Sequence, residues 1–179
     1  MTLWLTHDQA RAVADHARRA APQEACGLIA GVGGRAARII PIPNAAADPL
    51  RRYDMEPAAL VRAMFDIQRE RLQLIGIYHS HPHSDPVPSS VDIDRAAYPD
   101  AAYLIVSLRA PQPQFAAWRI QRRRAERVDL CVGAAPPDAD AAAPLSSAGR
   151  AAVLMAVAVA FVFLIVLSLA LLPPAPPLP

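Results

Sequence analysis

Apolar and polar positions alternate in short blocks over residues 1–132 and then give way to two uniform stretches. The block "LWL" reads as a short first strand. Across "THDQARAVADHARRAA", Ala10, Val13, Ala14 and Ala17 recur at helical spacing. Thr6 or Asp8 can cap that helix and Pro22 ends it. "ACGLIAGV" and "RAARIIPIPN" read as two strands joined at Gly33-Gly34, a pair suited to a hairpin turn. "EPAALVRAMFDIQRERL" puts Leu60, Met64 and Ile67 on one helix face, with Pro57 in the first turn. "QLIGIYHSH" reads as a strand, "SVDIDRAAY" as a short helix stopped near Pro99, and "AAYLIVSL" as a central strand. "QFAAWRIQ" and "ERVDLCV" complete the set. Strands and helices are mixed and the hairpins imply antiparallel pairs, so an α+β fold is expected, a mixed β-sheet flanked by helices.

The two uniform stretches differ from each other. Residues 133–149, "GAAPPDADAAAPLSSAG", have no apolar period and read as a linker. Residues 151–172 carry no charge and a single Ser. At about 1.5 Å per residue they would span roughly 33 Å, enough for a bilayer core. A soluble helix normally shows a polar stripe, and this stretch has none. The expected organisation is a domain over 1–132, a linker over 133–149, a transmembrane helix over 150–172 and a short Pro-rich tail over 173–179. Arg150 stands just before the span and no charge follows it. The positive-inside rule then places a single-pass, tail-anchored chain with its long N-terminal part in the cytoplasm.

Formal net charge is only +2, which gives no general case for nucleic acid. All 18 basic residues are Arg. The absence of Lys and the abundance of Ala and Pro fit a GC-rich, bacterial coding bias, and hence a bacterial inner membrane. The run "RIQRRRAER", residues 119–127, reads as a solvated turn between strands, with a nucleic-acid or anionic-lipid surface as the functional alternative. Cys26 and Cys131 are far apart, exclude a four-Cys zinc site and read as small buried hydrophobes. "GVGG" lacks the Lys-Ser/Thr and helix of a phosphate loop. His7 and His16 are expected to be solvated.

Candidate chemistry concentrates in "GIYHSHPHSDPVPSSVDID", residues 76–94. His79 and His81 stand two apart at a strand end, so both imidazoles face one way and can reach one ion. Asp92 follows in the first turn of the next helix. Two His and an Asp give Zn²⁺ three ligands and leave a fourth position open, the pattern of a catalytic site. Ser89-x-x-Asp92 is also a helix-capping pattern. The two readings are compatible, because Asp92 can cap and ligate through different oxygens. His83 follows Pro82 into a Pro-rich loop, where alternation no longer applies, and is expected at the surface or in a substrate loop.

"HSHPHSDPVPSSVD" resembles, without a gap, the metal motif of the JAMM (JAB/MPN domain) metalloproteases: His, Ser, His, Pro, six residues, Ser, two residues, Asp. That family also places a Glu upstream at a strand entrance, and Glu24 in "PQEACGLIAG" stands in that context. The resemblance covers residues 2 to about 132. It implies a JAB/MPN fold, one zinc held by His79, His81 and Asp92, Glu24 as general base, and Ser89 steadying the oxyanion. It further implies hydrolysis of a peptide or isopeptide bond after a Gly-Gly C-terminus of a ubiquitin-like or sulfur-carrier protein. Many MPN relatives are non-catalytic scaffolds, and the alternative is such a binding module at a membrane. All five active-type residues are present here.

Overall fold

The computed structural model describes residues 1–133 and Met155. Contacts divide the chain into Met1–Pro136 and Pro137–Pro179, and the first unit is described here. Apart from Met155, the expected span at 151–172 lies outside the described residues, as do the tail and all of the linker except Gly133. Among the described residues no helix is long and apolar enough to cross a membrane.

Ten elements follow one another as β1 (Thr2–Leu5), α1 (His7–Ala20), β2 (Cys26–Val32), β3 (Arg35–Ile42), α2 (Pro57–Arg69), β4 (Gln73–His81), α3 (Ser90–Arg95), β5 (Ala102–Ser107), β6 (Gln114–Gln121) and β7 (Arg124–Val132). Thr6 caps α1 in a reciprocal box with Gln9, which decides between the two candidate caps. Gly33 and Gly34 both take positive φ in the β2–β3 turn, a conformation that costs Gly little. Helix α3 is shorter than expected, because Ala96 is already extended. That turn lets Tyr98 N–H reach the Tyr103 hydroxyl at 3.0 Å.

The strands form a closed barrel in the order β1-β3-β2-β4-β5-β6-β7. β4 and β5 run parallel, β1 runs parallel to both β3 and β7, and the other pairs are antiparallel. The mixed sheet agrees with the sequence pattern, and its closure is the new feature. Four pairs from Thr2↔Asp129 to Leu5↔Val132 seal it.

Alternation along the strands sorts the core into two apolar clusters. Ile29, Tyr78 and Leu104 join Leu3, Leu5 and the Val13–Ala17 stripe of α1. Their neighbours Leu28, Ile77 and Tyr103 join Ala63 and Ile67 of α2. Tyr78 lies over Gly27, where an added Cβ would sit 2.5 Å from the ring and 2.4 Å from the Ile40 carbonyl oxygen. Two sequence expectations need correction. His16 is not solvated: it is half-buried, with Nδ1 2.8 Å from the Tyr78 hydroxyl. Cys26 is buried, but Cys131, near the C-terminal end of β7, is only partly so.

Candidate metal centre

The centre is built where β2, β4 and α3 meet. The β2–β4 register pairs Cys26 with His79, Gly27 with Tyr78 and Leu28 with Ile77. Two further steps along this antiparallel register, past Ala25 and Ser80, set Glu24, just before β2, across from His81. Directly opposed antiparallel residues share a face, so Glu24, His79 and His81 lie on one side of the sheet. Ser80 points the other way and fastens the strand ends. Its Oγ accepts from Ala25 N–H at 2.8 Å, and its own N–H donates to the Ala25 carbonyl at 2.9 Å. Asp92 then enters from α3.

His79, His81 and Asp92 are all buried, and their ligating atoms lie within 4.8 Å of one another. The edges are 3.2 Å between the two Nε2 atoms, 3.4 Å from His79 Nε2 to Asp92 Oδ1, and 3.6 Å from His81 Nε2 to Asp92 Oδ2. Tetrahedral Zn²⁺ with ligands at about 2.0–2.1 Å has edges of roughly 3.3–3.4 Å. The donor set therefore fits such an ion. Two nitrogen lone pairs so close to each other and to a carboxylate oxygen make poor company unless a proton or a cation sits among them.

The surroundings orient these donors unequally. His81 Nδ1 lies 2.8 Å from the Asp85 carbonyl oxygen. Only an N–H can make that bond, so in the neutral ring it is Nε2 that carries the lone pair, aimed at the centre. His79 Nδ1 has no hydrogen-bond partner among the described residues. Its ring is instead stacked on Tyr53, centroids 4.6 Å apart and planes 25° apart. Asp92 Oδ2 accepts from Ser89 N–H and from the Ser89 hydroxyl, each at 2.7 Å, while Ser89 Oγ accepts from Asp92 N–H at 3.2 Å. Capping thus uses Oδ2, which also faces His81, and leaves Oδ1 towards His79. In this geometry the Ser89 proton is given to Asp92.

Electrostatics single out Glu24. It is 7 % exposed, and its Oε2 has no partner among the described residues. Burial pushes its carboxyl up to about 7, helped by the charge of Asp92 and opposed by that of His81. His79 is held below the usual imidazole range by burial. For His81, burial pulls the same way, but bonds to Asp92 and to the Asp85 carbonyl outweigh it and the group is raised. Burial also resists ionisation of Asp92, yet the two imidazoles and Ser89 hold it well below the carboxylate range. Asp92 is therefore a carboxylate at neutral pH and Glu24 is poised to exchange a proton there.

His83 is exposed and outside the cluster. Tyr53, Asn44 and the Asp85 carbonyl have no signature in the sequence. Their contacts join segments far apart in the chain or run through backbone atoms, which residue patterns do not report. Beside Asp92 opens a cleft of about 150 Å³ lined by Tyr53, Met55, Leu60, Ile77, Arg95 and Tyr98 among others. Each of these follows from the fold rather than from a motif.

Comparison with known proteins agrees with this geometry. Residues 6–121 match the family described as prokaryotic homologs of the JAB domain. A protein of Haloferax volcanii named desampylase is 39 % identical over 113 residues, 59 % of this chain and 80 % of that one. A protein of Mycobacterium tuberculosis named CysO-cysteine peptidase is 42 % identical over 108 residues, 58 % of this chain and 72 % of that one. The solution structure of a Desulfitobacterium hafniense protein superposes with a TM-score of 0.66 at 31 % identity, covering 74 % of this chain and 92 % of that one. The chain belongs to the prokaryotic homologs of the JAB domain, and it is a hydrolase of the peptidase class.

Proposed function

We propose that the chain is a zinc metallopeptidase that cleaves a peptide or isopeptide bond after the Gly-Gly C-terminus of a ubiquitin-like or sulfur-carrier protein. The observation that carries this reading is the buried cluster in which the His79 and His81 Nε2 atoms stand 3.2 Å apart and each lies 3.4–3.6 Å from an oxygen of the Asp92 carboxylate, Oδ1 for His79 and Oδ2 for His81, beside a buried carboxylate with an oxygen unpartnered among the described residues. His79 and His81 would hold the metal through Nε2 and Asp92 through a carboxylate oxygen. A bound zinc supplies Lewis acidity, which makes water nucleophilic near neutral pH and polarises a carbonyl. Glu24 takes the proton of the attacking water and passes it to the leaving amine. Its elevated proton affinity, close to 7, suits both transfers. The Ser89 hydroxyl, turned away from Asp92, donates to the substrate oxygen as negative charge develops there.

Two features support a folded protein as substrate. The names of the relatives, a desampylase and a CysO-cysteine peptidase, point to a protein conjugate. An apolar groove along α2, which includes Val61, Met64, Phe65 and Leu72, shares Leu60 and Tyr98 with the cleft beside Asp92. Glycine suits the narrow approach to buried donors because its backbone can come close. The uncharged stretch 151–172 with Arg150 before it supports a membrane anchor that leaves the peptidase domain in the cytoplasm. The test is hydrolysis of sulfur-carrier fusions ending Gly-Gly-Cys or Gly-Gly-Lys. Wild-type, zinc-loaded protein cleaves them, and Glu24→Gln binds zinc but cleaves them about 10²–10⁴-fold more slowly. Failure of zinc-loaded wild type on a panel of such fusions would overturn the reading.

A further inference from the structure

Among the described residues, the Asn44 side chain ties the backbone of the candidate base to the loop whose Tyr53 ring stacks on a candidate metal ligand. All four of its hydrogen-bonding positions are engaged with backbone. Nδ2 donates to the Glu24 carbonyl at 2.9 Å and to the Arg52 carbonyl at 3.1 Å. Oδ1 accepts from Ala46 N–H at 3.0 Å and from Asp54 N–H at 2.9 Å. Arg52 and Asp54 flank Tyr53, so two of these bonds clamp the backbone on either side of the ring that stacks on His79. A third fixes the residue that carries the buried carboxylate. Glu24 N–H is held by the same loop, through the Pro49 carbonyl at 2.8 Å.

The clamp matters because His79 lacks the usual restraint. A metal-ligating His ordinarily donates its second ring nitrogen to a carboxylate or carbonyl. His79 Nδ1 has no such partner among the described residues, and its ring face is packed on Tyr53 instead. The segment from Asn44 to Met55 has no helix or strand of its own beyond the Asn44↔Met55 bridge. Its shape is held by the Asn44 side chain together with a few backbone bonds, among them Ala45 N–H to the Asp54 carbonyl at 2.7 Å.

We propose that Asn44 is a positioning residue that sets two parts of the centre at once: His79, through Tyr53, and Glu24, through its backbone carbonyl. The inference rests on the metallopeptidase reading above. Removing an outer-shell partner of a metal ligand typically costs about 10–100-fold in affinity or activity. A displacement of about 1 Å at a reacting group can cost about 10²-fold in rate.

The test measures zinc affinity by competition with a chromophoric chelator, together with kcat, KM and melting temperature, for wild type, Asn44→Asp, Asn44→Ala, Tyr53→Phe and Tyr53→Leu. Asn44→Asp keeps the shape and the two accepted bonds but cannot donate to Glu24 or Arg52. The clamp requires Asn44→Asp and Asn44→Ala to weaken zinc binding roughly 10-fold and to lower kcat by more than they raise KM. Tyr53→Phe should bind zinc like wild type, whereas Tyr53→Leu should lose affinity as the Asn44 variants do. Adding Asn44→Ala to Tyr53→Leu should then cost no further zinc affinity but should lower kcat further, through Glu24. If wild type binds zinc and the Asn44 variants match it within twofold in both affinity and kcat, the inference fails while the metallopeptidase reading stands. If Asn44→Ala does not fold, an unchanged zinc affinity in Tyr53→Leu overturns the inference by itself. If wild type binds no zinc, both fall.

Discussion

Glu24→Gln separates the catalytic demand on this residue from its cost to the fold. The wild-type carboxyl is raised from 4.5 to about 7 by burial. A group whose pKa rises on folding lends its full contribution below the unfolded value, and that contribution is lost as pH climbs through the folded value. For metal-free protein the window therefore runs from about pH 4.5 to pH 7, and above it the ionised carboxylate opposes folding. At about 1.4 kcal/mol per pH unit, the whole window amounts to roughly 3 kcal/mol. That figure is an upper bound, since water reaches buried carboxylates in part, and 1–3 kcal/mol is the working range. Gln has the same shape and does not ionise, so its curve lacks this slope. The assay is urea unfolding of both proteins in chelator at pH 5 and pH 8. Asp92, His79 and His81 are common to both and largely cancel in the comparison. The wild type should lose about 1–3 kcal/mol relative to Glu24→Gln between those two pH values, while zinc-loaded Glu24→Gln is slower in hydrolysis by about 10²–10⁴. Parallel pH curves would show that Glu24 is not desolvated, and the argument for a tuned base would go with them.

Other substitutions probe separate links. Ser89→Ala should lower kcat by about 10²–10³ if its hydroxyl serves the developing oxyanion, with a cap loss of only about 1 kcal/mol in unfolding measurements. Phe65 is 66 % exposed, so Phe65→Ser should leave the melting temperature nearly unchanged. It should raise KM for a folded carrier conjugate severalfold without changing KM for a short Gly-Gly peptide. Gly27→Ala would drive a Cβ to 2.4 Å from the Ile40 carbonyl oxygen. Overpacking of this kind costs about 1–3 kcal/mol, read as a lower denaturation midpoint.

The sequence carried the elements and the grouping of His79, His81 and Asp92 because both rest on short-range patterns. Alternation in "IYHSH" puts two imidazoles on one face whatever the rest of the fold does, and Asp92 lies one loop away. Barrel closure was hidden because β1 is four residues long, and its partner β7 lies at the other end of the domain. The orientation of His81 was hidden because its partner is a carbonyl, which every residue has. Tyr53 and Asn44 sit in "PIPNAAADPLRRYDMEP", where no period marks them. The error at His16 has the same origin: the helix pattern shows which face is apolar but not that Tyr78 rises beneath its edge. Glu24 lies between these cases, since its register with His81 follows from β2–β4 pairing that the sequence does not specify alone.

The central claim is that His79, His81 and Asp92 share one divalent cation. Diffraction recorded at the zinc absorption edge from crystals of zinc-loaded protein addresses it directly. The account predicts an anomalous peak about 2.0–2.1 Å from His79 Nε2, His81 Nε2 and an oxygen of Asp92. Zinc bound elsewhere, with no peak among these three donors in protein that still cleaves its conjugate, would contradict it.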